Sequence, residues 1–246
     1  MTARTILTVS ALFLIGAIMI ALAQRRQGRD QHHRKEDWIK YGVYFGILSS
    51  IIVLVSFSRL AVPMILIIIA TGAGIELFSN FRPRIRGPIP VTLITVILIA
   101  AGLSHLMYTS SETWQSGFVL VFLLTCLSDA FSQLWGKLIG RHRLCPTISP
   151  GKTTEGLILG LATVTVVAAL LNDLWPAANA TMLAGLGFAV GCAATIGDLF
   201  FSFLKRRLGV KDFSCTIPGH GGVLDRFDSF IFAAPVFYWT QRWLGQ

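Results

Sequence analysis

The segment Ser202–Asp228, SFLKRRLGVKDFSCTIPGHGGVLDRFD, gathers the side chains best able to do chemistry. Lys205, Arg206, Arg207, Lys211 and Arg226 stand with Asp212, Asp225 and Asp228 around a glycine-rich turn. Positive groups suit phosphates, and carboxylates suit a hard cation such as Mg²⁺. Asp225 and Asp228 are three residues apart, so a helix would put them on one face. Asp198, from the pair Gly197-Asp198 on the preceding apolar stretch, joins them if the two stretches are neighbours, as their short connection implies. The other reading of these acids is charge pairing at helix ends with Lys205, Arg206 or Arg226. In the turn Pro218-Gly219-His220-Gly221-Gly222, glycines let backbone N–H groups approach a phosphate. The helix N-terminus that follows adds a favourable dipole. His220 could donate to a phosphate or act as an acid; the ordinary alternative for a lone loop histidine is a structural hydrogen bond.

A second candidate cradle is Ser149-Pro150-Gly151-Lys152-Thr153-Thr154-Glu155-Gly156. Its Gly-Lys-Thr is not a P-loop, because Pro146 stands where the earlier glycine is needed and no preceding strand is visible. What survives is a short loop of hydroxyls and a lysine before a helix N-terminus, which still suits phosphates. Ser149 or Thr153 could equally cap that helix.

These groups need elements to hold them, and composition says which kind. The chain has 246 residues, 54% hydrophobic and 13% charged, with mean hydropathy +0.67. A soluble domain carries roughly 25% charged residues. The expected fold is therefore all-α: one polytopic integral membrane domain, with residues 1–115 as N-terminal helices and 116–246 as the helices carrying the motifs. A crossing needs about 20 apolar residues. Eight spans are expected, near Ile6–Ala23, Trp38–Phe57, Leu60–Leu77, Val91–Met107, Gly117–Ile139, Gly156–Leu171, Ala178–Leu204 and Asp228–Trp243. Of 21 Lys and Arg, eighteen fall in the alternate connections 24–40, 78–90, 136–152 and 205–226. The positive-inside rule puts those four loops, and with them every motif, on the cytoplasmic side, as in a bacterial-type inner membrane. The net charge of +9 then reflects orientation, not a nucleic-acid partner. Arg4 and Ala21-Leu22-Ala23 resemble a cleavable signal, but cleavage would leave the first basic loop outside.

Twelve acids are few enough to audit. Asp30, Glu36 and Asp37 are expected to be solvated, and Glu112 and Asp173 inert in external loops. Glu76, Asp129, Glu155, Asp198, Asp212, Asp225 and Asp228 lie at the inner ends of spans. Ionisable groups there default to functional candidates, and the alternative for Glu76 and Asp129 is pairing with a nearby Arg. Trp38, Trp114, Trp135, Trp175, Trp239 and Trp243 fall near span ends, as interfacial anchors do. Cys126, Cys145, Cys192 and Cys215 form no disulfide or zinc pattern. Gly185, Gly187, Gly191 and Ala193–Ala194 permit close packing of span seven, within the chain or in a homodimer.

Taken together, the motifs resemble the phosphatidate cytidylyltransferase family, the CDP-diacylglycerol synthases. That family's signature has the form Ser-x-x-Lys-Arg, four residues, Lys-Asp, Pro-Gly-His-Gly-Gly, then Asp-Arg-x-Asp. This chain matches it with Ser202, Lys205, Arg206, Lys211, Asp212, Pro218 to Gly222, Asp225, Arg226 and Asp228. Gly197-Asp198, the Ser149 to Gly156 segment, and Asp129 with Gly136-Lys137 and Gly140 resemble its other motifs. The resemblance runs from about Leu127 to the C-terminus. It implies transfer of a cytidylyl group from CTP to phosphatidate, an inner-leaflet lipid, giving CDP-diacylglycerol and pyrophosphate. It implies Mg²⁺ on Asp198, Asp225 and Asp228, with K⁺ beside it. Lys152, Lys205, Arg206, Lys211 and Arg226 would bind phosphates. Ser149, Thr153, Gly221 and Gly222 would complete the cradle, with Glu155 and Ser202 among the substrate-binding positions. Asp129 and Asp212 would orient the basic groups. One position departs: the family's usual Glu before the serine is Phe201 here. A lost carboxylate there suggests a divergent paralog using another lipid phosphate, or a catalytically silent member.

Overall fold

The structure is a computed structural model that describes residues 3–27, 31–58, 60–81, 96, 99–100, 102, 114–175, 178–214, 216 and 221–243. The expected fourth span lies largely outside these residues. So do Asp30, Glu112, Cys215 and the Pro218-Gly219-His220 part of the turn.

The described chain is mostly helical. Its helices are α1 (Ala3–Gln27), α2 (Gln31–Phe57), α3 (Ala61–Phe81), α4 (Trp114–Ile139), α5 (Thr154–Leu170), α6 (Ala180–Leu208) and α7 (Leu224–Trp243). Five of them, α1, α2, α3, α4 and α6, are long and apolar enough to cross a membrane, while α5 is a shorter apolar helix. The molecule is an integral membrane protein. One element was not expected. Arg143–Cys145 (β1) and Ser149–Thr153 (β2) pair antiparallel, so the second cradle is one strand of a hairpin and not an open loop. Helix α7 begins at Leu224, one turn earlier than its apolar run, so Asp225, Arg226 and Asp228 all lie on its first turns.

Caps explain several boundaries. The Thr153 hydroxyl accepts from the Gly156 amide and starts α5, while Asn179 accepts from Met182 and starts α6. Helix α6 ends at Gly209, whose φ of 69° is left-handed. Lys205, Arg206 and Arg207 fill its last turn, where cations complement the helix dipole.

Small residues bring α4 to α7 together. A side chain on Gly160 of α5 would meet Ser132 of α4, and one on Gly187 of α6 would meet Ala168 and Val164 of α5. A side chain on Gly197 of α6 would meet Phe232 and the Asp228 carbonyl of α7. Without a hydrophobic drive between helices in lipid, this close approach supplies the packing energy. The partner of span seven is thus within the chain at Gly187, Gly191 and Gly197, whereas Gly185 faces open space. Two tryptophans also depart from the anchoring role. Trp175 is buried against Phe237, and the Trp135 indole donates to the Thr163 hydroxyl.

Candidate active site

Elements from both halves of the chain converge on one cavity of about 800 Å³. Helix α4 contributes Asp129, β2 contributes Ser149, Gly151, Lys152 and Thr153, and α6 contributes Asp198 and Lys205. The turn after α6 adds Lys211, Asp212 and Gly221, and α7 adds Asp225, Arg226 and Asp228. Asp198 and Lys205 are seven residues apart, two helical turns, and so point the same way.

Ion pairs tie these groups together. Lys152 Nζ meets Asp198 Oδ2 at 2.5 Å, joining the hairpin to α6. Lys205 Nζ lies 2.8 Å from Asp225 Oδ1 and 3.8 Å from Asp228 Oδ2, joining α6 to α7. The charge-pairing reading of these acids is thus observed, with lysines of the hairpin and α6 as partners, and the paired groups line the cavity. The Ser202 hydroxyl donates to Asp198 Oδ1 at 3.1 Å.

The first turn of α7 is held from two sides. Asp225 Oδ2 accepts the Phe213 amide at 2.8 Å and the Gly222 amide at 2.9 Å. Glu76 of α3, 5% exposed, accepts the Ser214 hydroxyl, the Val223 amide and the Leu224 amide at 2.7, 2.8 and 2.9 Å. A helix start leaves such amides without intrahelical partners, and an anion there is favoured by the dipole. Among the described residues Glu76 thus pairs with a helix N-terminus and not with an arginine. Gly221, with φ of 79°, reverses the chain into this turn. The Gly222 N–H is turned toward Asp225.

The hairpin is braced from outside the cavity. Arg206 Nε donates to the Ile148 carbonyl at 3.2 Å, and Arg143 to the Pro150 carbonyl. Arg206, Ser202, Glu155 and Gly222 are not part of the cavity wall. Glu155, just ahead of the apolar run of α5, accepts the Arg141 and His142 amides and pairs with the His142 ring at 2.6 Å. Those bonds, led by the Arg141 amide, hold its carboxyl down at about 2. Its folded-state value lies below the ordinary 4.5, so this tie is complete above that pH and is lost only as pH falls through about 2.

Several contributors come from the first half of the chain, where sequence motifs are absent. Tyr44 of α2 accepts a hydrogen bond from Arg226 Nη1 at 3.2 Å, with the guanidinium 5.7 Å from its ring. The Arg226 Nε is buried without a partner. Asp37, expected in solvent, meets Lys137 of α4 at 3.1 Å with its side chain only 10% exposed, and both line the cavity. The spacing of Tyr41, Tyr44 and Leu48 along one face of α2 was the available signal, but apolar spans offer many such stripes.

Phe201 is fully buried, packed against Phe200, Phe213 and Phe232 with ring centroids 5.4 to 6.2 Å apart. It is absent from the cavity wall. The departure at this position therefore alters the aromatic core beneath the site.

Six carboxylates and five basic side chains line the cavity. The basic groups do not outnumber the acids, so a polyanion is favoured here in company with a cation. Among the described residues no three acidic, histidine or cysteine side chains could enclose a metal by themselves. That fits Mg²⁺, which is usually held by one or two carboxylates with substrate phosphates completing its shell. Asp198 Oδ2 and the outward oxygens of Asp225 and Asp228 face lysine ammonium groups, cations that a divalent ion can replace.

Comparison with known proteins gives the family. Residues 3–244 match the model of the cytidylyltransferase family. A phosphatidate cytidylyltransferase of Rickettsia bellii is 31% identical over 220 residues, covering 85% of this chain and 95% of the relative. A phosphatidate cytidylyltransferase of Staphylococcus aureus is 39% identical over 145 residues, 58% of this chain and 55% of the relative. The uncharacterised protein YnbB of Escherichia coli is 39% identical over 153 residues, 60% of this chain and 51% of the relative. The match thus spans about half of the latter two relatives and nearly all of the first. With the family model covering almost every residue, this chain belongs to the cytidylyltransferase family.

Proposed function

We propose that this protein transfers the cytidylyl group of CTP to phosphatidate, forming CDP-diacylglycerol and pyrophosphate. The observation that carries this reading is one cavity lined both by carboxylates and basic groups and by apolar side chains of α1, α2 and α4. Such a cavity suits a substrate that is both phosphate and lipid, and relatives in the family bear the name of this activity.

In this reading a phosphate oxygen of phosphatidate attacks the α-phosphorus of CTP. The bond from that phosphorus to the oxygen bridging the β-phosphate breaks, and pyrophosphate leaves. The attacking group is already an anion, so a strong general base is not required. The protein's task is positioning and charge neutralisation. Lys152 and Lys211 hold the triphosphate against the hairpin. Lys205, fixed between Asp225 and Asp228, faces the transferring group. Arg226, steadied by Tyr44, takes the lipid phosphate. One or two carboxylates of the set Asp198, Asp225 and Asp228 would hold Mg²⁺ together with substrate phosphates, and the ion would supply neutralisation of phosphate charge. Asp129 and Asp212 keep the basic groups oriented.

The same reading places eight spans in an inner membrane with this cavity open to the cytoplasm, on the strength of the Lys and Arg distribution. The test is incorporation of labelled CTP into phosphatidate by the purified, detergent-solubilised protein, with and without Mg²⁺. Metal-dependent CDP-diacylglycerol, abolished in Asp198→Asn, is expected. CTP binding without product from phosphatidate would refute the acceptor and point to another lipid phosphate.

A further inference from the structure

Beside its acids and lysines the cavity includes a mostly apolar slot walled by α1, α2 and α4, where Asp37 of α2 pairs with Lys137 of α4. Helix α1 lines it with Leu12, Gly16 and Ile20, and α2 with Tyr41, Tyr44 and Leu48. These spacings of four, and of three and four, each trace one helical face. The opposite side of α1 is also apolar, with Leu14 64% and Ile18 50% exposed. Helix α1 therefore has one apolar face toward the bilayer and another toward the cavity, which its charged groups do not explain.

Tyr44 marks the junction. Its hydroxyl bonds Arg226, while on the same face of α2 Tyr41 and Leu48 line the slot to either side and Asp37 pairs with Lys137. An occupant that fits has an anionic head and a hydrocarbon tail. We propose that an acyl chain of the lipid acceptor lies in this slot, and that Gly16 is a specificity-determining residue that sets how long a chain it admits. This deepens the proposed function and rests on it.

Gly16 is where the slot is gated by the smallest change. A methyl group there would lie 3.5 Å from the Tyr41 ring, an ordinary contact. Tyr41 is not free to yield to anything larger. Its hydroxyl donates to the Phe13 carbonyl at 2.5 Å, and its ring meets those of Phe13 and Trp38 edge-on at 5.9 and 5.8 Å. Added bulk at position 16 must therefore project into the slot.

The experiment compares dihexanoyl and dioleoyl phosphatidate as acceptors with the full-length protein in detergent. Gly16→Leu should lower kcat/KM for the dioleoyl lipid about tenfold or more relative to the dihexanoyl lipid, with the KM for CTP unchanged. Leu14→Phe, on the bilayer side, should keep the wild-type ratio. An unchanged lipid ratio in Gly16→Leu overturns the proposal. If that variant does not fold, Leu12→Ala decides, since widening the slot should shift preference toward the longer chain and an unshifted ratio refutes it. Cys126 also lines the cavity, so a readout independent of turnover exists. Dioleoyl phosphatidate should slow alkylation of Cys126 in wild type and much less in Gly16→Leu. Protection without cytidylyl transfer would sink the proposed reaction and leave the slot standing; transfer without protection or chain discrimination would do the reverse.

Discussion

Glu76 shows what a single buried carboxylate does here. It sits on an apolar span, 138 residues before Ser214, yet it accepts two amides and a hydroxyl from the segment leading into α7. Glu76→Gln has only one acceptor oxygen to offer and would leave at least one buried amide unmatched. The cost expected is about 1–3 kcal/mol, read as a lower unfolding temperature in detergent together with a lower kcat, because Asp225 and Asp228 ride on that turn. An unchanged unfolding temperature would contradict this role. Phe201 is the opposite case, a departure from the family pattern that faces the core. Restoring the family's usual residue by Phe201→Glu would bury a carboxylate among Phe200, Phe213 and Phe232. Loss of stability by several kcal/mol and no gain in activity are expected. A gain in activity would mean that the side chain reaches the site.

At the scale of elements, glycines decide which helices touch. The sequence shows five small positions on α6, Gly185, Gly187, Gly191, Ala193 and Ala194, without saying which face a partner. The structure separates them, because Gly187 lies against Ala168 and Val164 while Gly185 has no neighbour. Gly187→Leu should therefore abolish recovery of folded protein, and Gly185→Leu should leave yield and elution volume unchanged. Aggregation or a changed oligomeric size in Gly185→Leu would reveal a second interface on that face. The hairpin is the element least visible in sequence. Arg143, Leu144 and Cys145 carry no alternation long enough to read as a strand, and Pro150 and Gly151 argue against one in β2. Arg143 of β1 ties it to the Pro150 carbonyl of β2, and Arg206 and the Glu155–His142 pair brace it from outside.

At the scale of the whole molecule, the first half of the chain meets the motif-bearing half through particular close contacts. Pro235 lacks the N–H that would bond the Ile231 carbonyl within α7, and Gly102 packs against that carbonyl. Leucine at position 102 cannot be accommodated without separating the two. Gly102→Leu is expected to lose both folded yield and cytidylyl transfer, whereas Gly102→Ala should show a partial loss. Full activity in the leucine variant would mean that this contact does not hold the halves together. Arg226 with Tyr44, Lys137 with Asp37 and Arg26 with the Leu138 carbonyl tie α1 and α2 to the same assembly.

By itself, the sequence determined that the chain is helical and membrane-embedded, and it pointed to the acids and lysines near Asp198 and Asp225 as the candidate site. Hydropathy and local spacing are properties of consecutive residues, and the long motif from Ser202 to Asp228 carries its groups within one stretch. Only the tertiary structure decided that Lys152 meets Asp198, that Glu76 holds the start of α7, that Tyr44 steadies Arg226 and that Phe201 turns into the core. Each of these depends on which face of one helix meets another. In an apolar environment that choice is made by close packing and by pairing of buried polar groups, and neither leaves a periodic trace in the chain.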